Sequence, residues 1–174
     1  MGFITQIGGA CDDSSSLILE LKQKLQSIGA MVDHPKEGDL NSRSSYDGEV
    51  NYYHAVSNAN FHTIANDGKG RLGHIDENAA LEIMHAMLKR KPIVLLHAPV
   101  FDRNVGPFAR GVIANRLSKL MVCNLLELDD EDARQFLQNI TESDVNYTLT
   151  HHEETIIKSR LKAHFRKLLQ PVNA

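Results

Sequence analysis

The sequence is short of cysteine, of unbalanced charge and of long apolar runs, and each shortage narrows what the chain can be. It has two cysteines, Cys11 and Cys123, far apart and in no CxxC pair. That usage suits a reducing compartment and supplies no zinc site. The formal net charge is −3, which gives no electrostatic reason to expect nucleic acid or an anionic membrane as partner. No apolar run approaches the ~20 residues of a membrane span. The opening "MGFITQIGG" lacks the basic stretch and apolar core of a signal peptide, so the chain is expected to be mature and cytoplasmic. Its Met-Gly start does not extend to a myristoylation pattern, because Gln6 stands where Ser or Thr is needed. There is no tryptophan, no internal repeat and no low-complexity tract.

What is present is alternation. Phe3 to Ile7 is a short apolar run ending in "GGA", as a buried strand ending in a tight turn does. "DDSSS" offers N-cap candidates for a helix with Leu17, Leu21 and Leu25 on one row, stopped by Gly29. "AMVDHP" reads as a second strand, Lys36 to Gly48 as a long polar loop, "EVNYYHAVSNA" as a helix and "NFHTIAN" as a third strand. "DGKGRLGHID" reads as a glycine-rich loop before the helix "ENAALEIMHAMLKR", and "KPIVLLHAP" is the clearest strand. A loop with a short helix follows, then "KLMVCNLLEL" as a fifth strand. From Asp129 onward two further helices, "DDEDARQFLQNI" and "EETIIKSRLKAHFRKLL", form a C-terminal extension over 129–174.

Strands alternating with helices predict one α/β domain over 1–174, a five-stranded parallel sheet covered on both faces. The natural arrangement is a flavodoxin-like three-layer sandwich of strand order 2-1-3-4-5. In such sheets ligands bind beyond the C-terminal strand ends. The turns there carry Gly8 and Gly9, the pair Asp76 and Glu82, and His97. Gly73, Asn78 and Asn104 lie in the same loops and helix starts and are further candidates for substrate contact. Glu82 stands less than two turns into its helix and has no Lys or Arg three or four residues away. Its side chain leans toward the helix N-terminus and so toward that crevice. Taken alone, the spacing also fits a plainer reading, Asp76 as an N-cap and Glu82 as an acid favoured by the helix dipole.

"GKGRLGHIDENAALEIMHAMLKRKPIVLL", "FITQIGGACDDSSSLILELKQKLQSIGAMVDHP" and "YYHAVSNANFHTIAND" together resemble the nucleoside 2-deoxyribosyltransferase-like family over about the first hundred residues. Asp76, Glu82, Ala86, Lys91 and Pro92 fall on its pattern. The resemblance implies Glu82 as a nucleophile at C1′ of a ribosyl or deoxyribosyl group, with Asp76 contacting the base. The Gly8-Gly9 turn would approach the sugar or a 5′-phosphate, assisted by Ser14. It implies no cofactor and no metal, and a nucleoside or nucleoside 5′-monophosphate as partner. Two positions depart from the family. Its first strand commonly ends in a Tyr, where Gln6 or Ile7 stands, and an acid just before or at the start of the third strand is here Asn60, itself a candidate for substrate contact. Tyr46, Tyr52 or His54 could replace those groups, or the fold could bind a nucleotide or sugar phosphate without turnover. A third reading makes the chain an interaction protein using its extension.

The helix of Glu82 is apolar nearly all round, more than one sheet-facing stripe needs. A homo-oligomer, dimer or larger, would use the surplus, as the resemblance also implies, with Asn104 or Asn115 of a neighbour completing the site. Otherwise the C-terminal helix covers that face. His85 reads as packed or exposed. His151-His152 reads as a solvated helix start, since adjacent helical residues do not converge on one metal.

Overall fold

Two glycines and an alternating apolar pattern set the first unit of the computed structural model, which describes residues 3–9, 11–34, 59–68, 70–141 and 145–169. Strand β1 (Phe3–Gly8) leads through Gly9 into helix α1 (Cys11–Ser27), and strand β2 (Ala30–His34) returns beside β1. The expected helix over residues 49–59 and the loop before it fall in or against 35–58, outside the described residues, as do Tyr46, Tyr52 and His54. Strand β3 (Phe61–Ile64) follows, then three two-residue strands, β4 (Asp67–Gly68), β5 (Arg71–Leu72) and β6 (His74–Ile75). Helix α2 (Glu77–Leu88), strand β7 (Ile93–Leu95), strand β8 (Val100–Phe101) and helix α3 (Pro107–Ala114) come next. The chain ends with strand β9 (Met121–Val122), helix α4 (Asp130–Thr141) and helix α5 (His151–Leu169).

The protein is α/β, as the alternation predicts. Among the described residues, the central sheet runs β2-β1-β3-β7-β9, and each neighbouring pair is parallel. Helices cover both of its faces. On one, Phe3, Ile7, Phe61 and Val94 pack with Ile18, Leu21 and Leu25 of α1 and with Leu137 of α4. On the other, Ile64, Ile93 and Leu95 pack with α2, α3 and α5. No helix among the described residues is long and apolar enough to cross a membrane.

Four elements differ from the expectations of the sequence. The strand expected over "KLMVCNLLEL" is only Met121–Val122, because Leu117–Lys119 form a 3-10 turn before it and Asn124 accepts the Leu126 N–H (3.2 Å) after it. The "DGKGRLGHID" loop contains a β4-β5 hairpin, with Gly70 at φ +67, and β6 pairs in parallel with β8. Helix α1 starts at Cys11, so Ser14 to Ser16 lie inside it rather than capping it: β1 stays paired through Gly8 and Gly9 turns the chain at once. Helix α2 stops at Leu88, two residues early, with Arg90 in the left-handed region (φ +56) and Lys91 N–H donating to the Ala86 carbonyl at 3.1 Å. That is the backbone pattern of a helix stop.

The surplus apolar face of α2 is covered by the chain itself. Ile157 and Leu161 of α5 and Tyr147 of the preceding connector join Leu81, Met84 and Ala86 in one buried cluster. The reason for expecting a homo-oligomer through that face is therefore removed. Tyr147 anchors the connector by donating its hydroxyl to the Lys91 carbonyl at 2.7 Å, and burial pushes its phenol above the ordinary value. Tyr147→Phe should keep the packing and orphan that carbonyl. A loss of about 1–2 kcal/mol on chemical denaturation is expected, and no change at all would mean that water replaces the hydroxyl without cost.

Candidate active site

The centre of the site is a contact between residues 73 positions apart: the Gly9 backbone N–H donates to Glu82 Oε2 at 3.1 Å. Each side of it has a local cause. At the end of β1, Gly8 still pairs with β3, accepting the Ala65 N–H at 2.8 Å. Gly9 then takes φ +137, and a Cβ there would meet the Ala65 carbonyl oxygen at 2.6 Å. Only a residue without a side chain lets the two backbones come this close. On the other side, Asp76 caps α2, its Oδ1 accepting the Ala79 N–H at 2.7 Å. The helix so placed carries Glu82 at the C-terminal edge of the sheet with 3% of its surface exposed. Glu82 is thus not a solvated surface charge. Burying a carboxylate costs several kcal/mol unless hydrogen bonds offset it, and the Gly9 amide is one such bond.

The loops beyond β3 and β7 are tied together above this contact. Asn66, 1% exposed, holds both backbone groups of His97: its Nδ2 donates to the His97 carbonyl (2.6 Å) and its Oδ1 accepts the His97 N–H (3.0 Å). Gly73 (φ +82) would clash with the Ala98 carbonyl if it carried a Cβ. Its N–H donates to the Asn66 carbonyl and its carbonyl accepts the Val100 N–H, both at 2.7 Å. His74 and Asp102, both buried, stand 3.6 Å apart where β6 meets β8. Asp102 Oδ1 also accepts the Asn104 N–H at 3.1 Å.

The structure therefore sorts the candidates. Gly8, Gly9, Asp76 and Glu82 share one end of the sheet, and half-buried His97 follows β7 at that same end. Gly73 acts through loop packing. Asn104, exposed, lines a separate 290 Å³ cleft with Arg71, Asp102 and Arg103. Asn60 is at the wrong end: it precedes β3, exchanges bonds with the Ile4 backbone (Oδ1 to N 2.8 Å, N to O 2.7 Å), and lies a strand length, about 13 Å, from the Gly9 edge. Asn78, exposed in the first turn of α2, lines a different cavity facing α5. Ser14 is the fourth residue of α1, and its side chain, like those of Gln6 and Cys11, lies outside the described residues. Asn115 caps the end of α3, exposed. His85 is buried beside α5. His151 and His152 open α5, exposed. Cys123 is half-buried, its thiol pushed up by burial. Among the described residues no three His, Cys, Asp or Glu side chains form a metal-binding group.

Three organising residues stand outside the sequence-derived candidates: Asn66, His74 and Asp102. Asn66 alone carries a sequence signal, an asparagine two residues past a strand, where its amide can bond turn backbone.

Gly9→Ala is expected to destabilise the protein by about 2 kcal/mol or more, through positive φ and the approach to Ala65. Gly29 is the control, with φ +91 and nothing within 4 Å of an added Cβ, so Gly29→Ala carries only the backbone cost of about 1 kcal/mol. Equal losses in the two variants, measured by urea denaturation, would remove the close approach from the account.

No family model, no curated protein and no solved structure matches the chain.

Proposed function

We propose that the protein cleaves or transfers the N-glycosidic bond of a nucleoside or nucleoside 5′-monophosphate, with Glu82 as nucleophile. The reading takes the sheet as a flavodoxin-like sandwich of order 2-1-3-4-5, whose ligand crevice lies beyond the C-terminal strand ends. The observation that supports it most is the buried Glu82 carboxylate, held at that edge by the Gly9 amide and six residues after the helix-capping Asp76.

The chemistry follows from those positions. A Glu82 oxygen attacks C1′ from the face opposite the base, the C1′–N bond breaks, and the electron pair leaves on the base, whose nitrogen takes a proton from solvent water. One oxygen of Asp76 is occupied by the Ala79 N–H, and the other is offered to the base. The Gly9 N–H keeps the nucleophile oriented before attack. Water then attacks C1′ of the glycosyl ester, the C1′–O bond breaks to return the Glu82 carboxylate, and the proton passes to solvent; a second base attacking there, with loss of its N–H proton, completes transfer. No cofactor is needed.

The deciding experiment follows free-base release from a panel of nucleosides and 5′-monophosphates, with intact-mass detection of a glycosyl adduct. The expected outcome is base release with an adduct that maps to Glu82. Added acceptor base separates transfer from hydrolysis. Binding of these compounds with no base released would leave the sensor reading, in which the same crevice holds a nucleotide without turnover.

A further inference from the structure

A second cavity, about 370 Å³, lies between α2, α3 and α5, on a different face of α2 from Glu82. We infer that it is a binding site for a small organic anion, a phosphate monoester or carboxylate carried on a compact apolar body. The inference is independent of the glycosidic chemistry.

The volume is in the range of small-ligand sites, and the lining is divided in the manner such a ligand requires. The floor is apolar and buried: Leu81 and Met84 from α2, Val105, and Ala109 from α3. One wall is basic. Arg160, His164 and Lys167 follow one another along α5 at spacings of four and three, so they share one face of the helix. Ala163 between them leaves the wall open. Arg160 is set in place by its guanidinium lying 4.7 Å from the centre of the Phe108 ring, a cation–π contact that spans from α5 to α3. The third side is the start of α3, where Gly106 and Pro107 offer no side-chain cap. By contrast, the start of α2 is capped by Asp76. A helix start without a cap leaves amide N–H groups for an anion to accept.

Among the described residues, neither Arg160 nor Lys167 has a carboxylate within ion-pairing distance. Glu77 also lines the cavity and limits what can enter. With two cations, one carboxylate and one histidine, the lining favours a ligand with a single anionic group and disfavours a polyphosphate or a nucleic-acid strand. The apolar floor disfavours a bare inorganic ion.

Phenyl phosphate is a suitable probe, with inorganic phosphate and phenol as its two halves. In an NMR titration of the full chain, phenyl phosphate should shift amides of Gly106–Ala109, of Asn78–Leu81 and of Arg160–Lys167. Inorganic phosphate should bind about tenfold or more weakly, having lost the apolar contact. Arg160→Gln and Lys167→Gln should each weaken phenyl phosphate by about tenfold, as loss of a charge-assisted bond does. Both positions are exposed, and an unchanged circular dichroism spectrum would show that the variants fold. The proposal fails if phenyl phosphate does not bind, or if its shifts are confined to Gly9 and the Glu82 edge. It fails equally if both variants bind as wild type does, or if inorganic phosphate binds as tightly as phenyl phosphate.

Discussion

Glu82→Gln should reduce base release by at least about 10³-fold, the scale of removing a nucleophile outright, while the protein keeps its fold. Glutamine preserves the length and shape of the side chain, and its amide oxygen can still accept the Gly9 N–H now bound by the carboxylate. Stability should therefore change by no more than about 1 kcal/mol. The separation of the two readouts is the test. A nucleophile needs the electron pair of an ionised carboxylate, which the amide cannot offer to C1′. A carboxylate serving only to complete a hydrogen bond would lose neither function nor fold on this exchange. Glu82→Asp gives the third point: it keeps the charge but withdraws it by one methylene. A displacement of about 1 Å from attack geometry costs about 10²-fold, so Asp should be impaired but active. Rates ordered Glu, then Asp, then Gln would match nucleophilic attack. Equal rates for Glu and Gln would eliminate it.

The position of Glu82 is legible in the amino-acid sequence because each sign of it is local or periodic. Asp76 stands where a helix should begin, and it does cap α2. The alternation of strands and helices predicts a parallel sheet, and a parallel sheet collects its loops at one edge. The Gly9–Glu82 bond itself is not legible there, since it joins two segments through the sheet between them. Asn60 is misplaced by the family pattern for a reason contained in the same rule. A residue that precedes a parallel strand lies at the opposite edge from one that follows it. Asn60 before β3 therefore cannot meet Glu82, whereas Asn66 after β3 reaches the His97 turn. Strand direction decides the matter against the pattern. The covering of α2 has a legible alternative in the C-terminal helix, but amphipathic patterning does not say which partner fills an apolar face. Thr150 and Glu153 carry a purely local signal. Thr150 Oγ1 accepts the Glu153 N–H (3.0 Å) and Glu153 Oε1 accepts the Thr150 N–H (2.9 Å), a capping box that starts α5 at His151. The two histidines inside it are bystanders of a helix start.

Arg116→Ala should be the most destabilising exchange outside the sheet, by about 3–5 kcal/mol. Arg116 is 9% exposed, and all of its N–H groups are engaged. Nε donates to the Tyr147 carbonyl (2.7 Å), Nη1 to the Val112 carbonyl (3.0 Å) and Glu153 Oε2 (2.9 Å), and Nη2 to the Thr148 carbonyl (3.2 Å) and Glu153 Oε1 (2.6 Å). One guanidinium thus fastens α3, the connector and the first turn of α5. Removing it leaves three carbonyls without that donor and the half-buried Glu153 carboxylate with only the Thr150 N–H. Lysine should recover little, because a single ammonium cannot reproduce the planar fork. The pH response identifies the cause. Hydrogen bonds from Arg116 hold the Glu153 carboxyl below its ordinary value of 4.5. A carboxylate whose folded pKa is lowered adds stability above the unfolded value, and that stability is lost as pH falls through the lowered one. Wild type should therefore lose part of its advantage over Arg116→Ala on acidification below about 4.5, as read by denaturation at a series of pH values. A gap that stays constant as pH falls well below about 4.5 would assign the loss to packing and the carbonyls alone. A loss under about 1 kcal/mol would make the pair an ordinary surface bridge. Because α5 covers the face of α2 that the sheet does not, the variant should also speed amide exchange in α2. The residue that secures the extension then also helps hold the helix that carries Glu82.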